Sequence, residues 1–176
     1  MIPAPDERSR ARLEDGALIL AAKGSAPRDA SPLTFLAGDH AYRFEAEIEL
    51  SEGATAGLLL FYSRRLYARL AFDGDQLIMH RYGLERAAAW PPGLPKSRRL
   101  FLRAANDHHI ASFHLSADGQ AWTRFGVQME VSGYHHNTAG NFLSLRPGLY
   151  CSGAGEARFR ALKFEALATP GGEHGV

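Results

Sequence analysis

Arg43-Phe44-Glu45-Ala46-Glu47-Ile48-Glu49-Leu50 is the stretch that decides the fold class. Phe44, Ala46, Ile48 and Leu50 occupy every second position, and Arg43, Glu45, Glu47 and Glu49 fill the places between. A period of two gives an extended chain one dry face and one wet face. Wound into a helix, the same charges would spread around the cylinder and leave no apolar stripe. The stretch therefore reads as a strand with one side against a core.

Working outward, Gly57-Leu58-Leu59-Leu60-Phe61-Tyr62 is apolar on both faces, as in a central strand of a stacked sheet. Leu66, Ala68, Leu70 and Phe72 alternate with Tyr67, Arg69 and Ala71, and Asp73-Gly74-Asp75 then turns into a strand over 76–82. Further strands are expected at 86–90, before the stop at Pro91-Pro92-Gly93, at 99–105, at 110–116 and, past an Asp118-Gly119 turn, at 121–125. Residues 147–152 and 157–166 close the domain. In the second of these Phe159 and Ala161 share one face and Leu162 and Phe164 the other, so a bulge at Ala161-Leu162 would turn all four inward. Upstream, short strands at 17–22 and 33–36 flank a loop of small, turn-forming residues. About a dozen short strands between turn signals, with no helical pattern, indicate a β-sandwich or barrel. No internal period of propeller or solenoid length repeats. The expected organisation is one domain over 13–167, a flexible lead-in over 1–12 and a disordered tail over 168–176.

The 176 residues suit one domain, and 45% hydrophobic with 22% charged residues allow an ordinary core. A net charge of +1 with scattered arginines argues against a nucleic-acid partner. The single cysteine, Cys151, excludes an internal disulfide and any CxxC or zinc cluster. The first residues lack an apolar signal core, and no run reaches the ~18 apolar residues of a membrane helix. The expectation is a soluble cytoplasmic protein without a membrane partner.

Candidate chemistry is sparse. His108-His109 and His135-His136 are adjacent pairs whose side chains diverge on an extended chain, so neither clamps a metal readily. No cofactor is expected. A structural calcium ion stays open, because Asp15, Asp39, Asp73 and Asp75 sit near turns whose carbonyls could join them. There is no Gly-x-Ser-x-Gly, and Cys151 lies in an apolar strand as a buried thiol would. Glu85, Glu130, Glu156 or the aspartates are the carboxylates a glycosidase would have to recruit, without a context that marks them. What remains are rings beside amides and imidazoles. Tyr67, Tyr82, Trp90 and Trp122 alternate with charged or turn residues, so several of them are not core. The long connection from Gly133 to Pro147 carries Tyr134, His135, His136, Asn137 and Phe142 between glycines. Flat rings with fixed donors suit a sugar, whose C–H faces stack while its hydroxyls are hydrogen-bonded. Trp122 serves equally as a core anchor.

Several of these segments together resemble a known family. Gly57-Leu58-Leu59-Leu60-Phe61-Tyr62 with Leu66-Tyr67-Ala68, His80-Arg81-Tyr82-Gly83, Ser116-Ala117-Asp118-Gly119-Gln120-Ala121-Trp122 and Gly133-Tyr134-His135-His136-Asn137 look like the C-terminal β-sandwich of family 43 glycoside hydrolases of the β-xylosidase type. The resemblance spans Leu13 to Leu167. It implies an all-β, concanavalin A-like jelly roll of two packed antiparallel sheets. In such enzymes this domain follows a β-propeller that carries the catalytic carboxylates. One of its loops adds an aromatic to the aglycone side of the active site, and Phe142 stands at the matching position. Arg69 and Asn141 stand where the family pattern has glycine. The propeller's catalytic residues have no counterpart here.

The resemblance thus implies a non-catalytic domain that binds xylo-oligosaccharides or xylan-type glycans. The alternative is an interaction domain that completes the active site of a separate glycoside hydrolase propeller. An independent glycosidase comes third, and would need two carboxylates roughly 5–10 Å apart in a cleft. The candidate sugar-contacting residues are Phe142, His135, His136, Asn137, Tyr134, Trp90 and Tyr82.

Overall fold

A computed structural model describes residues 5–38, 40–135 and 144–167. The alternating stretch lies within a ten-residue strand, β4 (Ala41–Leu50), with Phe44, Ala46 and Ile48 buried. Before it come a 3₁₀ turn at Pro5–Arg10, then β1 (Ala11–Glu14), β2 (Ala17–Ala21) and β3 (Leu33–Thr34). After it come β5 (Ala54–Ser63), β6 (Leu66–Phe72), β7 (Leu77–Arg81) and β8 (Leu84–Ala88). The remaining strands are β9 (Arg99–Asp107), β10 (Ile110–Ser116), β11 (Thr123–Glu130), β12 (Arg146–Gly153) and β13 (Glu156–Ala166).

The strands form two antiparallel sheets: seven in the order β1-β2-β13-β4-β9-β10-β11, and six in the order β3-β12-β5-β6-β7-β8. The core lies between them. Phe44, Ile48, Leu102, Phe113 and Phe159 come from the first sheet, and Leu58, Leu60, Tyr62, Leu70, Phe72 and Cys151 from the second. The arrangement is the expected two-sheet sandwich. The outer face of the seven-stranded sheet carries cross-strand ion pairs, among them Glu45–Arg103, Glu47–Arg99, Glu49–Arg160 and Arg43–Glu165. The wet half of the β4 alternation is thus neutralised strand by strand.

Three hairpins close on two residues with positive φ, as type I′ turns require: Asp15-Gly16, Tyr82-Gly83 and His108-His109. The last is built without glycine, and His108 Nδ1 lies 2.7 Å from Asp107 Oδ1. The adjacent histidines therefore make a turn. Asp73 Oδ1 accepts from the Asp75 and Gln76 amides at 2.8 Å, which fixes the turn into β7.

Three expectations need correction. The lead-in is structured from residue 5: Arg10 donates to Ala21 O and Ala30 O, and β1 pairs with β2. Glu7 is ion-paired to Lys23 and Arg10, which holds its carboxyl down at about 2. These ties come from partners distant in sequence, so local composition did not show them. The eighth strand begins at Leu84 and ends at Ala88, which leaves Trp90 in the following loop. The bulge in β13 exists: its register against β4 slips between Arg160 and Lys163, with Ala161 at φ 49°. It puts Phe164 opposite Phe44 on the same face as Phe159 opposite Ile48. Ala161 and Leu162, however, take up the extra residue on the bulged side and stay exposed, and Phe164 is itself 42% exposed, so of the four only Phe159 is buried.

Candidate functional site

The structure brings two of the sequence-predicted site residues together at one corner of the sandwich. Tyr82, at the tip of the β7–β8 hairpin, is 56% exposed, and its hydroxyl accepts from the Glu130 amide at the end of β11 (3.0 Å). A turn from Val131 O to the Tyr134 amide (2.9 Å) then sends the chain back, so that Tyr134 lies against the Tyr82 backbone. Tyr134 belongs to the core cluster at 8% exposure, and burial pushes its phenol up. His135 follows it, half-buried. His136, Asn137 and Phe142 lie outside the described residues, as does Asp39.

Trp90 stands apart, beyond the opposite end of the β7–β8 hairpin. It is half-buried, edge-on to Phe72 at 6.4 Å, and joins the core periphery. Trp122 is covered on one face by the Arg103 guanidinium, 3.8 Å from the ring centre, and its Nε1 donates to Gly119 O (3.1 Å). It is therefore a clamp on the outer side of the seven-stranded sheet, not a core anchor.

Sequence reasoning missed a polar row on the outer face of the six-stranded sheet. The registers place Leu59, Arg69, His80 and Glu85 side by side across β5, β6, β7 and β8. Arg69 is 1% exposed. It donates through one terminal nitrogen to the Tyr150 hydroxyl and through the other to Glu85, with its guanidinium 5.1 Å from the Tyr150 ring centre. His80 stacks on Tyr67 at 4.2 Å, and Tyr67 continues the stack toward Phe61 at 6.3 Å. Burial, followed by the nearby Arg69 charge, pulls the His80 imidazole below its ordinary value, so it is neutral near pH 7. Ala30, on the loop between β2 and β3, packs with Leu59, Ala71 and Tyr150 and closes part of this face.

The three candidate glutamates each have a partner. Glu85 pairs with Arg69, Glu156 with Arg12 at 2.9 Å, and Glu130 accepts from Ser132. Among the described residues no three His, Cys, Asp or Glu side chains gather as a metal site. Cys151 is fully buried in β12, and desolvation pushes its thiol up to about 12.

The model of the β-xylosidase C-terminal concanavalin A-like domain matches residues 2–166. The chain belongs to that family. The fold recurs in solved structures at low sequence identity. The GH43 protein BlXynB from Bacillus licheniformis superposes with a TM-score of 0.76 at 18% identity, over 93% of this domain and 36% of that chain. Xylan β-1,4-xylosidase from Bacillus halodurans C-125 gives 0.73 at 18%, over 93% and 35%. This GH43 C-terminal domain thus spans about a third of those enzymes. A functionally unknown protein from Saccharomyces cerevisiae gives 0.59 at 10% identity and is covered over 96% of both chains. No curated protein sequence matches.

Proposed function

We propose that this domain is a non-catalytic accessory domain that binds xylan-type saccharides, as a module associated with glycoside hydrolases of the β-xylosidase type. The observation that carries the reading is family membership over residues 2–166, in a family described as the C-terminal part of β-xylosidases. The committed carboxylates at Glu85, Glu130 and Glu156 support a role without chemistry. The exposed Tyr82 ring, beside Tyr134 and His135, supports a surface contact with a flat, hydroxyl-rich ligand.

Isothermal titration with xylo-oligosaccharides tests it. Saturable binding is expected, without release of product from aryl xylosides. Absence of heat with every xylo-oligosaccharide at millimolar concentration refutes it. A second reading, completion of a hydrolase active site, is favoured by the size relation, since the domain matches 36% of the BlXynB chain. Added to the separately produced catalytic part of such an enzyme, the domain should then raise its activity, and Phe142→Ala should remove that gain.

A further inference from the structure

On the outer face of the seven-stranded sheet, away from the Tyr82 corner, lies a depression of about 300 Å³. Pro95, Ser97, Arg99, Phe101, Ala117 and Asp118 line it, with Leu100 beneath. Its floor is fixed by alternation in β9: Leu100 and Leu102 point into the core, so Phe101 points outward, half-exposed, between Glu47 on β4 and Ser116 on β10. One side of the ring is pinned by the β10–β11 turn. Gly119 approaches so closely that a Cβ there would sit 3.0 Å from two ring carbons, and its φ of +74° independently favours glycine.

That turn is rigid. Asp118 Oδ1 accepts from the Gln120 and Ala121 amides at 2.8 and 2.9 Å and from the Ser116 hydroxyl at 2.9 Å. The backbone donors hold the Asp118 carboxyl below its ordinary value, so it is ionised near pH 7. All three contacts fall on Oδ1, which leaves Oδ2 for a ligand. On the opposite wall, Ser97 Oγ accepts from the Arg99 amide (2.9 Å) and keeps its own hydrogen to donate. Arg99 uses Nε on Glu47, and its side chain remains 61% exposed.

The lining therefore combines an apolar floor with one anion, one cation already paired and one hydroxyl. An anionic ligand would meet Asp118, and a cationic one would meet Arg99. The volume lies at the lower limit of small-molecule sites. We propose that this depression binds one sugar residue of a neutral saccharide, its C–H face on Phe101 and its hydroxyls on Asp118 Oδ2, Ser97 Oγ and the Arg99 guanidinium. The proposal rests on the saccharide reading above and gives it a site, separate from the Tyr82 corner. An open wall on one side suits a unit of a longer chain, held weakly.

The test is a titration of the ¹⁵N-labelled domain with xylotriose, followed by amide shifts. The expected result is movement of amides at 97–101 and 117–121. Phe101→Ala should weaken binding about tenfold, by analogy with stacking on aromatic platforms. Ala117→Trp, at an exposed position, should fill the depression and abolish binding with the thermal midpoint unchanged. Shifts confined to other surfaces, or affinity unaltered in both folded variants, overturn the site and leave the saccharide reading standing. No shift anywhere with any xylo-oligosaccharide overturns both.

Discussion

Replacing Glu85 by alanine isolates the buried charge of Arg69. Arg69 is 1% exposed, and among the described residues its charged partner is Glu85, Tyr150 supplying a neutral hydroxyl. Stripping the partner from a fully buried pair costs about 3–5 kcal/mol, because the remaining charge stays desolvated. The Glu85 side chain is 46% exposed, so water screens this pair. The estimate for Glu85→Ala accordingly falls to about 1–3 kcal/mol. Urea unfolding should show a lower midpoint with an unchanged m-value. Removing the charge together with both partners, in Glu85→Ala/Arg69→Met/Tyr150→Phe, should recover most of the loss, since no buried polar atom of the trio is then left alone. A triple variant less stable than Glu85→Ala would show that Arg69 stabilises the sheet through its pairing and not merely through its shape. The reasoning would then be refuted.

Two further outcomes follow from buried titratable groups. His80 has its folded pKa lowered from 6.5 by burial, so the unfolded chain binds more protons between the two values; stability is full above about pH 6.5 and falls as the pH drops below it. Unfolding curves between pH 7 and 5 should show this slope, and His80→Asn should flatten it; His114, shifted in the same direction, keeps a residual slope. Cys151, with its thiol raised to about 12, should resist a disulfide reagent at pH 8 in the native protein and react once in urea, whereas fast stoichiometric labelling of the folded chain would contradict its burial.

The alternation at residues 43–50 was legible because one face of β4 is dry and the other is wet, so local pattern and tertiary role agree. The Asp-Gly turns were legible for the same reason, their geometry being decided within four residues. Arg69 was not. In β6 it alternates out of the core, which reads as solvent, yet packing around Leu59, Tyr150 and Ala30 buries it. Nothing within β6 itself announces that cover. Tyr134 shows the converse: a tyrosine between a glycine and histidines reads as exposed loop, but the turn after Val131 folds its ring under the Tyr82 backbone. Aromatic content gave the candidate rings, and only tertiary structure sorted those with a free face from those already covered.

The place of β13 in the seven-stranded sheet bears on how the chain is made. It sits between β2 and β4, hydrogen-bonded to Leu18–Ala21 on one side and to Tyr42–Leu50 on the other. During synthesis β2 and β4 emerge early, each with an edge open toward a neighbour that the ribosome adds more than a hundred residues later. The hairpins of β5–β8 and of β9–β11 close locally in the meantime. The sandwich becomes whole only when residues 156–166 insert between β2 and β4, a pairing across more than a hundred residues whose loop-closure cost slows folding.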